Sequence, residues 1–352
     1  KVIAYSTCSQ LGYMVFACGV SNSAVGVFHL ANHAFFKALL FLGAGSVIHA
    51  VADEQDMRKL GGLRRLIPFT YAMMLIGSLA LMGFPYLTGF YSKDVILEVA
   101  YAKFSNAGHF AYWLGSFAAF FTAFYSIRLL YLTFLSEPNG HRIILNHAHE
   151  SPWQMTLPLG LLAIPSMFIG YLTKDLFIGL GSDFWGNAIF IHPENFQLID
   201  AEFLPFLPKV LPLLFSLTGA GLAYLLYTIG IESLYRFKTS FYGRIFYNFF
   251  NRKWYFDRIY AQFIGQATLS SGYHFTYKTI DRGLIEVFGP FGIVNATGAG
   301  VKQIEQTQSG YLYHYTFIIL LGVTFFLFLL TISQMFFSPA LIFFLGLSIF
   351  FL

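Results

Sequence analysis

The stretch that decides the fold is VFHLANHAFFKALLFLGAGSVIHAV, residues 27–51. It is apolar or small at nearly every position, and it is longer than the about 20 residues that a helix needs to cross a bilayer. His29, His33 and Lys37 interrupt it at intervals of four residues, so they share one face of a helix. The stretch therefore predicts a transmembrane helix with ionisable groups along one side.

The composition of the whole chain has the same character. Hydrophobic residues make up 57% of the 352 residues and charged residues only 11%, whereas soluble domains carry about 25% charged residues. This excludes a disordered chain, a coiled coil and an ordinary soluble enzyme. Two cysteines are too few for a disulfide framework or a four-cysteine metal site. We therefore expect an all-α integral membrane protein.

Seven apolar stretches predict about seven transmembrane helices. The predicted spans are 2–20, 25–50, 67–103, 110–135, 155–173, 207–230 and 311–336. The third is too long for one straight crossing, because a helix over all of it would extend about 55 Å across a core of about 30 Å. Pro85, between Gly83 and Gly89, removes a helical hydrogen bond. We expect a broken helix, 67–83 followed by 90–103, with the break lining a cavity or packed in protein.

Lysine and arginine in the loops indicate on which side of the membrane each loop lies. The loop 51–66 and the segment 231–310 are rich in basic residues, whereas the loop 174–206 is rich in acidic ones. We therefore place Lys1 and the two basic segments on the inner side, and the apolar tail 337–352 on the outer side.

Segment 231–310 is too polar to cross a membrane and too aromatic for a free linker. Its stretch FYGRIFYNFFNRKWYFDRIYAQF, residues 241–263, interleaves charges with large rings, which is typical of an amphipathic helix in the membrane interface. A helix from 233 to 288 would extend about 80 Å, so we expect a lateral helix that reaches over a neighbouring protein. GPFG at 289–292 should interrupt it. A re-entrant or partly disordered loop is the alternative.

The row of His29, His33 and Lys37 predicts a proton relay. A charged lysine near the bilayer centre costs from about 3 to more than 10 kcal/mol, so it must face water, find a partner or lose its proton. Imidazole changes its charge near physiological pH. A core histidine bonded to neighbouring helices is the ordinary alternative for each ring alone. Two histidines four residues apart also suit half of a zinc site, but no acidic ligand lies nearby in the sequence, so we expect no metal.

A second group of ionisable residues follows the predicted break, in FPYLTGFYSKDVILE, residues 84–98. Lys93 and Asp94 come directly after the break, and Glu98 lies one turn beyond Asp94. Adjacent helical residues point about 100° apart, so we expect one of the pair to find a partner and the other to line the cavity. Transporters build ion sites at such breaks. A lysine that snorkels from a helix end is the alternative.

These two clusters resemble the antiporter-like subunits of complex I. The similar stretches are HLANHAFFKALLF (29–41), DEQDMRKLGGL (53–63), FPYLTGFYSKDVILE (84–98), FYSIRLLYLTFL (124–135) and QSGYLYHYTF (308–317). The similarity is greatest to the C-terminal part of the subunit-five family of mitochondrial NADH dehydrogenase in plants and algae. That family is far longer at its N-terminus, and this chain has no initiator methionine. We therefore expect a fragment, or one half of a split protein.

The resemblance implies a proton-translocating membrane-arm subunit of respiratory NADH:ubiquinone oxidoreductase, in the mitochondrial inner membrane. By motif match, His29 and His33 would connect Lys37, the central lysine, to Lys93, the terminal lysine of the outlet half-channel, with Asp94 beside it. FMN, iron–sulfur clusters and ubiquinone are expected in partner subunits and no cofactor in this chain. The implied partners are other membrane-arm subunits, a separate chain supplying the missing N-terminal half, and lipids, but no nucleic acid.

The resemblance also implies a domain organisation. Residues 1–230 would be the C-terminal half of an antiporter-like channel bundle with six spans, 231–310 the lateral helix over neighbouring antiporter-like subunits, 311–336 an anchoring span and 337–352 an apolar tail. Two alternatives stay open. One is a large subunit of a multi-subunit sodium/proton antiporter, which shares the relay motifs. The other is a structural subunit whose lateral helix clamps the arm and whose relay is idle.

Overall fold

The computed structural model describes residues 1–190, 195 and 197–335, with side chains through residue 332. In this part of the chain all regular structure is helical, which confirms the all-α fold class. The chain forms two compact units, the first Lys1–Ser240 and the second beginning at Phe241. The predicted apolar tail 337–352 lies outside the described residues.

The first unit is a bundle of long helices with short helices in its loops. Its helices are α1 Val2–Gly19, α2 Ser23–Ala50, α3 Pro68–Met82, α4 Thr88–Ala102, α5 Asn106–Leu130, α6 Arg142–His147, α7 Trp153–Ile178, α8 Gln197–Glu202, α9 Phe206–Thr228 and α10 Ile231–Thr239. Wider π-type turns at Tyr131–Leu135 extend α5. Two 3₁₀ turns, Met57–Lys59 and Leu63–Arg65, lie between α2 and α3.

Hydrogen bonds between loops show that the long helices alternate in direction. At one end of the bundle, the Asn139 backbone N–H donates to the Leu60 carbonyl at 3.1 Å, which joins the loops before α3 and before α7. At the other end, the Asn195 side-chain amide donates to the Ser21 carbonyl at 2.7 Å, which joins the α1–α2 turn to the loop before α9. The alternation agrees with the order of the predicted spans; which end faces inward stays a prediction.

The predicted break in the third span is present between α3 and α4, close to the expected halves 67–83 and 90–103. Gly83 ends α3 with a φ of 79°, a left-handed conformation that glycine adopts without strain. Pro85 follows two residues later and cannot donate to a continuing helix. The backbone therefore turns in the middle of the span and starts a second helix.

The start of α4 is held tightly against two other helices. The Thr88 hydroxyl donates to the Pro165 carbonyl at 2.9 Å and accepts from the Gly170 backbone N–H at 3.1 Å, both in α7. A Cβ added at Gly89 would lie only 1.8 Å from the Ala80 carbonyl oxygen in α3. The absence of a side chain at Gly89 thus permits the two halves of the broken span to pack together.

We expect Gly89→Ala to prevent the two half-helices from packing. The new methyl group would overlap the Ala80 carbonyl group, and the α3 backbone can shift only at a high energetic cost. The measurement is the amount of this chain in the assembled membrane complex on a native gel, which should fall severalfold. Gly12→Ala is the matched control, since an added Cβ there meets nothing within 4 Å. Normal assembly of the Gly89→Ala variant would contradict the close packing.

Glu150 caps the N-terminus of α3 from a distant loop. Its carboxylate accepts from the backbone N–H groups of Phe69 at 3.1 Å and Thr70 at 3.2 Å, and from the Thr70 hydroxyl. The first N–H groups of a helix lack partners inside it, and its positive end favours an anion. Ser46 Oγ lies 3.1 Å from Thr70 Oγ1 and 2.5 Å from Ser151 Oγ. The cap thus ties α2, α3 and the loop before α7 together.

Glu150→Ala should lower the stability of the first unit by about 1–2 kcal/mol, the usual range for losing a helix cap and its charge–dipole attraction. The temperature at which the purified complex loses activity should therefore fall. Glu137→Ala serves as the control, because Glu137 is exposed in the neighbouring loop. Equal inactivation temperatures for both variants would show that the cap contributes nothing measurable.

The second unit consists of one long interrupted helix followed by a shorter one. Its helices are α11 Phe241–Asn251, α12 Phe256–Ile259, α13 Gln266–Ser271, α14 Glu286–Phe288, α15 Pro290–Thr307 and α16 Leu312–Met335. A 3₁₀ turn at Lys253–Tyr255 precedes α12, and π-type turns at Tyr260–Gly265 and Gly272–Ile285 join α12, α13 and α14, so that Lys253–Thr307 forms a bent helix of 55 residues. The interruption expected at GPFG is present, because Gly289 has a ψ of −118° before Pro290 opens α15.

The structure differs from a continuous helix between 233 and 288 at two places. The chain is extended at Ser240, with a ψ of 158°, and Trp254 has a left-handed φ of 58°. Serine favours helix ends over helix interiors because its hydroxyl competes for backbone hydrogen bonds. The bent helix Lys253–Thr307 therefore begins 20 residues, or about five and a half turns, after the expected start at residue 233.

Six helices among the described residues are long and apolar enough to cross a membrane, judged by length and composition. They are Ser23–Ala50, Asn106–Leu135, Trp153–Ile178, Phe206–Thr228, Lys253–Thr307 and Leu312–Ile332. All but Lys253–Thr307 match predicted spans. The 18-residue α1 and the two 15-residue halves of the broken span supply the remaining predicted spans. Lys253–Thr307 is far longer than one crossing needs; its lateral position stays a prediction.

Candidate functional site

Helix α2 places the predicted row of ionisable side chains inside the bundle. The exposed fractions of His29, His33 and Lys37 are 1%, 5% and 4%. The ring centroids of the two histidines lie 6.1 Å apart, and His33 is within electrostatic range of Lys37. The spacing of four residues therefore gives a continuous polar row in an otherwise apolar helix.

His29 joins three helices through its two ring nitrogens. Its Nδ1 lies 2.9 Å from Ser92 Oγ in α4, and its Nε2 lies 3.2 Å from Gln10 Oε1 in α1. An amide oxygen only accepts hydrogen bonds, so the Nε2 of His29 donates to Gln10. In the neutral ring Nδ1 then accepts from the Ser92 hydroxyl. This arrangement brings the row on α2 into contact with the residues that follow the break.

Lys93, in α4, lies next to the contact between His29 and Ser92, which we call the joint between α2 and α4. It is 2% exposed, and its Nζ lies 5.1 Å from the centroid of the Tyr13 ring in α1. It is within electrostatic range of His29 and of its neighbour Asp94. Among the described residues Nζ has no hydrogen-bond partner. The structure thus places the second predicted lysine beside the first cluster.

Lys37 lies at the other end of the row, next to a small cavity. The cavity measures about 10 Å³, which is space for about one water molecule. Its polar lining consists of Ser6, Lys37, Ser78, Tyr125 and Ser126. Ser6 Oγ lies 2.7 Å from the Tyr125 hydroxyl, and the Lys37 Nζ has no hydrogen-bond partner within the described part of the chain. Lys37 therefore has hydroxyl groups around it in an otherwise apolar region.

Asp94 and Glu98 continue the row along α4, and both are half-buried. Glu98 is within electrostatic range of Lys174, Glu202 and Lys209, which belong to α7, α8 and α9. The Lys209 Nζ donates to the Glu202 carbonyl at 2.8 Å. All six predicted residues thus form one polar row, from Lys37 in the bundle to charged side chains at the end of α4.

Where α1, α2 and α4 meet, sequence reasoning missed three residues, Gln10, Tyr13 and Ser92. The polar run YSTCSQ at 5–10 was the available signal for Gln10, and Ser92 directly precedes Lys93. Asn32 is a further buried polar residue of α2, and neither atom of its amide has a partner among the described residues. In the same part of the chain, no three His, Cys, Asp or Glu side chains are grouped to hold a metal ion.

Two family models match the chain. The transmembrane model "NADH:quinone oxidoreductase/Mrp antiporter" matches residues 1–122, and "NADH dehydrogenase subunit 5 C-terminus" matches residues 191–332. The first match contains all six residues of the polar row. The second contains the long helix of the second unit and most of α16.

Curated relatives extend the similarity over nearly the whole chain. It is 60% identical over 325 residues to NADH-ubiquinone oxidoreductase chain 5 of Phytophthora infestans, covering 92% of this chain and 49% of the relative. The chain 5 proteins of Marchantia polymorpha and Arabidopsis thaliana are 55% and 53% identical, and each match covers 93% of this chain and 49% of the relative. The chain spans about half the length of the curated relatives it matches.

The helical fold and its buried polar row define an antiporter-like membrane subunit. The chain belongs to the family of NADH-ubiquinone oxidoreductase chain 5 of complex I, which confirms the resemblance seen in the sequence. It is a multi-pass protein of the mitochondrial inner membrane, and this subunit family carries no cofactor of its own. The relatives and the subunit 5 model favour complex I over the sodium/proton antiporter alternative.

Ser92→Ala should leave the buried His29 Nδ1 without its partner and destabilise the bundle by about 1–3 kcal/mol. The measurement is the heat-inactivation temperature of the assembled complex. Ser116→Ala is the matched control, because the Ser116 hydroxyl, also buried, donates only to the Tyr112 carbonyl of its own helix at 2.8 Å. A loss no larger for Ser92→Ala than for Ser116→Ala would argue against the bond to His29.

Proposed function

We propose that this chain is a proton-translocating part of the complex I membrane arm. Protons pass along the buried row that begins at Lys37 and ends at Glu98, coupled to quinone reduction elsewhere in the complex. The observation that carries the proposal is the contact of His29 with Ser92, because it connects the row on α2 to the row on α4 inside an apolar bundle.

The chemistry of each group suits the transfer of single protons. Every member of the row has a protonated and a deprotonated form, and each step moves one proton from an N–H or O–H donor to the lone pair of the next acceptor. Two positive charges a few ångströms apart repel strongly in a medium of low dielectric constant. Protonation of one group therefore disfavours protonation of its neighbour, and protons advance one at a time.

The proposed order follows the positions of the groups. Lys37 exchanges a proton with His33, His33 with His29, and His29 with Lys93 through the joint at Ser92. Asp94 and Glu98 then lead to the charged residues at the end of α4. The charged side chains of Lys174, Glu202 and Lys209 near Glu98 support an outlet there, because a releasing group must reach water.

We further propose partners and an organisation for the chain within complex I. FMN, iron–sulfur clusters and ubiquinone belong to other subunits, which carry out the electron transfer. Residues 1–230 form the channel half, 231–310 a lateral helix that contacts neighbouring antiporter-like subunits, and 311–336 an anchoring span in lipid. The exposed aromatic side chains along Lys253–Thr307 support the lateral contact, since they leave a large apolar surface open.

Replacement of either lysine tests the pump. Lys37→Ala and Lys93→Ala should each lower the number of protons moved per electron in inner-membrane vesicles supplied with NADH, while the complex still assembles on a native gel. Each removes a group that no neighbour replaces.

Lys103→Ala is the control, because Lys103 lies at the end of α4 outside the row. Unchanged stoichiometry in both row variants would reject the relay and favour the structural alternative, in which the chain only holds the arm together.

A further inference from the structure

The Lys93 ammonium group has an unusual environment. The groups that face it are the Tyr13 ring from α1, His29 from α2 and Asp94 from its own helix. Ionisable side chains on the other helices around α4 lie beside other positions: Tyr112 near Asp94 and Glu98, Tyr171 against Tyr91, and Lys174, Glu202 and Lys209 near Glu98. No ion pair within 4.0 Å involves Lys93 among the described residues.

The Tyr13 ring is fixed at both ends. Its backbone belongs to α1, and its hydroxyl donates to the Gly115 carbonyl of α5 at 2.5 Å. A Cβ at Gly115 would lie 2.4 Å from Leu97 Cδ2 and 3.5 Å from Tyr13 Cε1. The ring therefore occupies a close-packed site where α1, α4 and α5 meet, and its face cannot move away from Lys93 easily.

The same face of α1 also contacts the histidine on the other side of the joint. Gln10, three residues before Tyr13, accepts the hydrogen bond from His29 Nε2, and the Tyr13 ring lies edge-on to the His29 ring with centroids 6.4 Å apart. One turn of α1 thus touches both groups between which a proton would cross from α2 to α4.

We infer that Tyr13 is a positioning residue of the relay: its ring face holds the Lys93 ammonium group opposite His29. This role rests on the proposed proton transfer between His29 and Lys93. An aromatic face attracts a cation, and the attraction is strongest where water is excluded. The ring therefore stabilises the protonated lysine at the joint. Without the ring, the charged lysine loses this attraction. The alkaline limb of the pH profile of proton translocation, which depends on the charged lysine, therefore moves to lower pH.

The test compares three variants in the intact complex. Inner-membrane vesicles are supplied with NADH, and the protons moved per electron are measured from neutral to alkaline pH. Tyr13→Leu should shift the alkaline limb to lower pH by about one unit. Tyr13→Phe keeps the ring face in its close-packed site at Gly115 and should have the parental profile. Tyr91→Leu, the matched control, removes a ring of α4 that packs on Tyr171 instead and should leave the profile unshifted.

Two outcomes would overturn the inference, and each is distinct from failure of the relay. If Lys93→Ala lowers the stoichiometry but Tyr13→Leu has the parental profile, the relay stands and the role of Tyr13 is rejected. An equal shift in Tyr13→Phe would also reject it, because the hydroxyl rather than the ring face would then be responsible. If Tyr13→Leu does not assemble, Tyr13→Met makes the same comparison with a flexible side chain that fills the space.

Discussion

The constraint on which this structure depends is the cost of placing ionisable side chains in an interior that excludes water. For His29, two hydrogen bonds, to Ser92 and to Gln10, offset this cost. For Lys37, hydroxyl groups around a small cavity offset it. Lys93 has neither arrangement and lies against an aromatic ring. Helices α1, α2 and α4 must therefore keep their mutual positions, because each supplies partners that the others need.

The broken span is what brings α4 into that position. Since α3 ends at Gly83, α4 can begin inside the bundle rather than at its edge. Thr88 bonds to two backbone groups of α7, and Gly89 lies against the α3 backbone. These contacts fix the first turn of α4, and Ser92 and Lys93 follow on the next turn. The backbone break is thus a structural requirement for the side-chain contacts at the joint.

Local sequence patterns predicted much of the fold but not the contacts across helices. The intervals between His29, His33 and Lys37 predict a shared face because that depends on helical geometry alone. The break at Pro85 is equally local. The bonds of His29 to Gln10 and Ser92 depend on how three helices pack, which no single pattern contains. The family resemblance assigned roles to the lysines, yet it did not indicate that α1 contributes to the site.

His29 and Lys93, on the two sides of the joint, differ in how firmly their neighbours hold them. This difference bears on how the subunit, which has no electron carrier of its own, responds to chemistry elsewhere in the complex. His29 is bonded at both nitrogens in a pattern that suits the neutral ring. Lys93 has no hydrogen bond among the described residues, and only the Tyr13 ring face and the neighbouring Asp94 favour its charged form. Close packing of α1, α4 and α5 at Gly115 holds that face in place. A small shift of α1 against α5 would therefore change the charge balance at Lys93 more than at His29. Under the proposed relay, motion of helices would be a means of moving protons across the joint.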